Sequence, residues 1–297
     1  MPRKKHQEDS HPDLFSKNAD IIINDLLAAF REQNLYETER LIQRLSKEYP
    51  THSRLPGLQK LLEAQKKLKM PVKDIPHELN EMRGIICPLA LKWLGLGAPS
   101  YLAPLWQRLA LALKGQRFNP ETPELHCSFV HSETSDWFGA RSAVENEADW
   151  HQYPTLALTY TKALYFLNEL ESALEIWFYL FWQFPTDAQA LIDESENPNL
   201  ALRKRWRVFE DIEEELNPVS FPAWMLLTDS KLIHYSLKSN LHALTTHGKN
   251  YQAVQQLLLV KREKAKNTQH VELDLRKALK QIDENLLRWY LKSQGGG

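Results

Sequence analysis

An all-helical fold is predicted by three features of this 297-residue chain. Glycine is scarce, apolar residues recur three and four positions apart, and prolines fall where that recurrence breaks. Ten glycines, three of them the terminal Gly295, Gly296 and Gly297, are about half the roughly 7% of an average protein. So few glycines supply few residues for the positive-φ turns of β-hairpins or for phosphate-cradling loops, whereas helices joined by short polar turns need little glycine. No run of alternating apolar and polar residues suggests a strand.

Taken in order, residues 1–18 are charged and lack apolar periodicity, so a disordered tail is expected. Ile22, Leu26, Ala29 and Phe30 predict a first helix. Leu41, Ile42 and Leu45 predict a second, and Leu55, Leu58, Leu61, Leu62 and Leu68 a third. Pro71 and Pro76 bracket a linker, because each proline lacks a backbone donor and biases its predecessor away from helix. This places an N-terminal helical segment at 19–71 and a larger helical domain at 76–292. Gly84, Pro88, Gly95, Gly97, Pro99 and Pro104 make 76–115 irregular, with short helices and one over 101–114. Beyond residue 121, breaks near Pro154, Pro185, Pro198, Pro218 and Gly248 separate further helices. The last is read as one helix over 270–292, with Val271, Leu275, Leu279, Ile282, Leu286, Leu287 and Tyr290 on one face, and 293–297 as a flexible end.

A hydrophobic share of 43% beside a charged share of 25% suits a folded soluble chain. Lys and Arg number 37 against 38 Asp and Glu, so no whole-molecule field draws the chain to nucleic acid or an anionic membrane. Two cysteines, Cys87 and Cys127, make neither a disulfide framework nor a four-thiolate zinc site, and a reducing compartment is expected. The basic start turns acidic at once, unlike an export leader. The apolar run 176–182 is too short to cross a bilayer. These features predict a cytoplasmic protein without membrane insertion.

Sliding the chain against itself reveals a correspondence at a spacing of 135 residues, seen from Leu26 to Thr161. Leu26, Phe30, Leu35, Thr38, Ile42, Leu45, Tyr49 and Pro50 align with Thr161, Tyr165, Leu170, Ala173, Trp177, Leu180, Phe184 and Pro185. Each set describes a helix, a short polar turn (Gln33-Asn34 or Asn168-Glu169), and a second helix with a small residue early on its packed face. A third copy lies 33 residues upstream, where Ser128, Trp137, Ala140 and Val144 match Thr161, Leu170, Ala173 and Trp177. A fainter one surrounds Gly248. This pattern resembles the tetratricopeptide repeat, a helix-turn-helix unit of about 34 residues in which small side chains let two helices approach and a proline closes the unit. The resemblance is best over 121–187 and weaker over 19–50. It implies stacked antiparallel helical hairpins forming an α-solenoid.

It further implies a non-catalytic scaffold or adaptor that binds a protein or peptide partner in a groove lined by the first helix of each pair. Carried across by register, the groove residues are Leu125, Phe129, Glu133, Leu158, Lys162, Tyr165 and Phe166. Aromatic rings with one lysine suit a peptide bearing apolar anchors and a carboxylate. The competing assignment places Phe129, Leu158 and Phe166 in a packed core.

Other chemistries are weighed against plainer roles. Arg203, Lys204, Arg205 and Arg207 surround Trp206, and such a cluster can hold phosphates and stack on a base. On a helix the bases spread around the cylinder, Trp206 anchors it, and Asp211, Glu213, Glu214 and Glu215 follow. Nucleic-acid binding is therefore the alternative function. Lys261, Arg262, Lys264 and Lys266 suit a helix C-terminus. His126, Cys127 and His131 invite a metal, because Cys127 and His131 stand one helical turn apart with Glu133 nearby. A closed zinc site needs four ligands, and the second cysteine, Cys87, lies in a separate segment without a paired partner, so none is assigned. No phosphate loop, dinucleotide turn, nucleophile elbow or His-Glu-x-x-His motif is present, and no cofactor is assigned. An enzyme with an unrecognised site near 126–147 is the remaining alternative. The run from Phe221 to Leu227 is read as a plug at the end of the stack, or else as an exposed dimer contact.

Overall fold

A computed structural model describes residues 14–193, 197–234, 248–263 and 268–295. Among these residues there are helices, turns and bends but no strand. The chain divides into two compact units, one through Asp136 and one from Trp137.

The first unit contains α1 (Leu14–Arg31), α2 (Leu35–Glu48), α3 (Leu55–Lys67), α4 (Ile75–Glu81), α5 (Cys87–Leu94), α6 (Ala98–Leu113) and α7 (Cys127–Glu133). Helix α1 starts inside the stretch expected to be a tail; residues 1–13 lie outside the described residues. The residues that predicted the first three helices are buried: Ile22, Leu26, Phe30, Leu41, Leu45, Leu58 and Leu61 join one core with Leu79, Ile86, Leu94, Tyr101 and Leu109. Residues on both sides of the Pro71–Pro76 stretch thus share a core, and the unit boundary falls at 136–137 rather than near 72.

The irregular region is more continuous than its prolines suggested. Helices α4 and α5 are joined by a π-helical turn, Met82–Ile86, in which the Cys87 N–H donates to Met82 O. Pro88 lacks an N–H and its ring crowds the carbonyl four residues back, and the wider turn relieves that conflict. Pro104 creates the same difficulty within α6. There the Gln33 side-chain amide donates to Ser100 O at 3.4 Å and to Tyr101 O at 3.1 Å, supplying the donor that Pro104 withholds. By length and hydropathy (1.3) the stretch Ile75–Leu113 could cross a membrane, which the shorter 176–182 run does not reveal. It is not one straight rod. Gly95 adopts φ 53°, ψ −122° at the end of α5, a conformation suited to glycine, and α5 and α6 pack against each other.

The second unit contains α8 (Trp137–Glu145), α9 (Pro154–Phe166), α10 (Leu170–Gln183), α11 (Pro185–Asp193), α12 (Leu200–Glu210), α13 (Phe221–Thr228), α14 (Lys249–Glu263), α15 (Thr268–Ile282) and α16 (Glu284–Gly295). Pro154 and Pro185 open α9 and α11, where the missing N–H would have had no intrahelical partner anyway. Each helix packs on its successor, and α11 also meets α9. Helix α10 is buried from Glu175 through Trp182, as befits a central element with neighbours on all sides.

Two elements depart from expectation. Phe221 to Leu226 are buried, and α13 packs on α10, α12 and α14. It is a central element, neither an end plug nor an exposed dimer contact. The single helix expected over 270–292 is two, because the Asp283 carboxylate accepts the Leu286 N–H at 3.0 Å and caps α16. Helix α16 also continues to Gly295, into the stretch expected to be flexible. The faint fourth copy cannot be compared, since the residues before Gly248 (235–247) lie outside the described residues.

The turns of the three aligned copies share one backbone geometry. Gln33, Ser135 and Asn168, equivalent in the alignment, have φ of 55°, 56° and 63°. After each, an N–H reaches back five residues: Asn34 to Ala29 O, Asp136 to His131 O and Glu169 to Leu164 O, at 3.0, 3.0 and 2.9 Å. This left-handed closure satisfies carbonyls at a helix end. The small residues Thr38, Ala140 and Ala173 are all buried. Helices α2 and α10 end alike, with Tyr49 at φ −138°, ψ 62° and Phe184 at φ −133°, ψ 60°.

Candidate functional site

The seven expected groove residues divide between the units. In the second unit, Leu158 is buried in the core and offers no surface to a partner, which overturns its assignment as a contact. Lys162 and Tyr165 line a hollow with Leu158, Thr161, Ala173 and Trp177, and the chain's own Asn197, Pro198 and Asn199 close it. No space for a water molecule remains there. The closing segment is fixed by its own bonds. Buried Asn197 donates to Ile192 O at 3.0 Å, and Asn199 Oδ1 accepts the Leu202 N–H at 3.0 Å, capping α12.

Phe166 behaves differently. It is 50% exposed and stacks on Trp137 with ring centroids 4.3 Å apart, while Tyr165 meets it edge-on at 5.7 Å. Phe138 is 73% exposed and Leu170 52%. Phe138 follows Trp137 in α8, and Leu170 opens α10 just after the turn that follows Phe166. Trp137 and Phe138 could have been found from sequence: Ala140, Ala143 and Val144 set the buried face of α8, and two adjacent aromatics cannot both lie on it. Arg141 donates to Glu145 at 2.8 Å and Glu169 at 2.5 Å, which raises its pKa. The Tyr160 hydroxyl donates to Glu145 at 2.8 Å. Burial and that carboxylate push it to about 12.

In the first unit, Leu125 packs partly buried against the core, Phe129 is half-buried, and exposed Glu133 pairs with Arg83 at 3.2 Å. The neighbouring histidines have local structural partners. His126 Nδ1 accepts the Ser128 N–H at 3.4 Å and lies 2.7 Å from the Ser128 hydroxyl. Both residues are buried, so the pair caps α7 and is closed to a substrate. His131 Nδ1 lies 2.8 Å from Asp136. Among the described residues no three His, Cys, Asp or Glu side chains are grouped as a metal site would require. Burial, reinforced by Glu133, pushes the Cys87 thiol to about 11, leaving little thiolate near neutral pH.

The basic residues of α12 are largely committed within the second unit. Arg203 donates to Asp193 O at 3.2 Å, Arg207 lies 3.7 Å from the Asp193 carboxylate, and Arg205 pairs with Asp229 at 2.6 Å. Lys204 is exposed. The Arg205 guanidinium holds the Asp229 carboxyl below the usual range. Because the folded pKa is the lower one, this pair stabilises the fold above the ordinary carboxylate pKa and loses its effect as pH falls through the folded value. With side chains 39% and 23% exposed, its contribution is below about 1 kcal/mol. An Asp229→Asn variant is expected to unfold at lower urea than the native chain at neutral pH and to match it in acid; an unchanging gap would refute the linkage.

A cleft of about 710 Å³ in the second unit is lined by Asn217, Ser220, Lys249, Asn250, Asp283 and their neighbours. Its polar groups bond among themselves: Asn250 donates to Ser220 Oγ at 3.3 Å, and the Ser220 hydroxyl bonds to the Asp283 cap. Comparison with known proteins assigns nothing further, since no protein-family model, curated protein or solved structure matches the chain.

Proposed function

We propose that this chain is a non-catalytic protein-interaction module built of helical hairpins similar to tetratricopeptide repeats. Support for the architecture comes from the common turn geometry at Gln33 and Asn168, which join the packed pairs α1–α2 and α9–α10, and from the sequential packing of helices in the second unit. One observation carries the binding role: Phe138, Phe166 and Leu170 remain exposed beside the half-buried Trp137. Exposed aromatic and aliphatic groups gathered at one place are characteristic of protein contacts. The hollow beside Lys162 and Tyr165 is filled by the chain itself, so the docking surface in this proposal is the Phe166 end of α9 instead of the face carrying Leu158.

Cross-linking in the native host, with each captured partner then purified and titrated, tests the proposal. The double variant Phe138→Ser, Phe166→Ser should weaken that partner at least tenfold, as expected when anchoring aromatics are removed, while the unfolding midpoint stays near that of the native chain. Lys204→Glu should leave binding unchanged. Loss of nucleic-acid retention by Lys204→Glu, with the aromatic variant still binding normally, would instead assign the nucleic-acid function.

A further inference from the structure

In the first unit, the 3₁₀ turn Gly95–Gly97 joins α5 to α6 and carries Leu96, whose side chain is fully exposed. Leu91, in the last turn of α5, is 61% exposed. Half-buried Trp93 has two cations near its ring, with Arg54 Cζ 5.2 Å and Lys92 Nζ 4.6 Å from its centre. A third cation, Arg31, runs across the turn so closely that a Cβ on Gly97 would fall 2.6 Å from its side chain.

Most basic side chains of α2, α3 and α6 pair with carboxylates, as Arg40, Arg44, Lys60, Lys66, Lys67 and Arg108 do. Arg31, Arg54 and Lys92 form no ion pair among the described residues. Even counting Glu32 beside Arg31, cations are in excess here. The turn therefore combines a protruding aliphatic side chain, an indole at its base and unpaired positive charge.

We propose that this turn docks the protein on an anionic lipid surface. Leu96 would enter the boundary between headgroups and acyl chains. Trp93, whose indole N–H is buried against Gly57, would hold Arg54 and Lys92 near its ring from within the fold, and Arg31, Arg54 and Lys92 would meet lipid phosphates and carboxylates. The chemistry is that of interfacial anchoring, in which shallow apolar insertion and electrostatic attraction act together. It requires no membrane-spanning helix. A purely acidic protein partner would make use of the cations but leave the exposed Leu96 without a role. The excess of positive charge together with the protruding side chain favours the lipid surface.

The test is co-sedimentation of the full chain with vesicles of phosphatidylcholine containing about three parts in ten phosphatidylserine, and with phosphatidylcholine alone. Binding is expected only to the anionic vesicles and should fall sharply in roughly 0.5 M salt, where surface charges are screened. Leu96→Asp should weaken it at least tenfold, and Lys92→Gln about fivefold. Neither exposed position should alter the unfolding midpoint. Absent binding, equal binding to both vesicles, or full binding by Leu96→Asp would overturn the proposal. Soluble polyglutamate binding that depends on Lys92 but not Leu96, with no vesicle binding, would assign an acidic protein partner instead.

Discussion

Phe221→Ala is expected to lower the unfolding free energy by about 3–5 kcal/mol, the usual result of truncating an enclosed aromatic side chain. Phe221 lies 4.8 Å from Phe181, 5.1 Å from Trp206 and 5.3 Å from Phe209, centre to centre, so its removal leaves a void bordered by three rings from two other helices, α10 and α12. Rings fixed at both ends of a helix cannot all shift inward to fill it. Phe221→Leu should cost about 1.5 kcal/mol or less, because most of the volume is retained. Urea unfolding followed by tryptophan fluorescence gives both values. A loss below about 1 kcal/mol for the alanine variant, accompanied by altered self-association, would mean that this segment contacts another molecule after all.

Glu78→Ala should cost about 3 kcal/mol, for a different reason. Its carboxylate takes two hydrogen bonds from Arg108, at 2.5 and 3.2 Å, and the two side chains are only 14% and 12% exposed. They border a hollow of about 10 Å³ with the Lys67–Glu81 pair, too small for water to solvate an isolated guanidinium well. Removing the carboxylate leaves the charged guanidinium only its bond to the Met70 carbonyl, 2.8 Å from Nε, whereas replacing both partners by apolar groups removes the cause of the loss. The double variant Glu78→Leu, Arg108→Met should therefore be more stable than Glu78→Ala alone. If the single and double variants unfold at the same denaturant concentration, the pair is not coupled in the way its geometry requires.

Much of the helical organisation could be read from residue spacing, because a buried stripe must recur every three or four positions whatever lies opposite. Ile22, Leu41, Leu58 and Leu61 marked their helices for that reason. The break at Asp283 was harder to see. Leu279, Leu286 and Tyr290 are buried on either side of it, so the apolar spacing continues while one carboxylate ends the helix. The central position of α13 was hidden for a related reason: Phe221 to Leu226 are buried all round, and a segment enclosed on every side has no polar face to show which neighbours surround it.

The candidate surface was legible in part. Phe166 was singled out through repeat register, yet the same register selected Leu158, which the core encloses. The difference comes from Asn197, Pro198 and Asn199, polar loop residues whose composition carries no sign that they fold back against α9 and α10. Leu96 was equally obscure from sequence, because Gly95-Leu96-Gly97 describes an ordinary turn until the exposure of its middle residue is known.

The left-handed residues Gln33 and Asn168 close equivalent bends with unrelated side chains. What the bends have in common is a main-chain path, so transplanting the loop around Asn168 into the place of the one around Gln33 should preserve the crossing of its two helices. Such a graft would nonetheless inherit a debt at Pro104, since asparagine is one methylene shorter than the glutamine that reaches Ser100 and Tyr101. A corner of the chain can recur with the same main-chain path, but each occurrence still answers to the particular wall it faces.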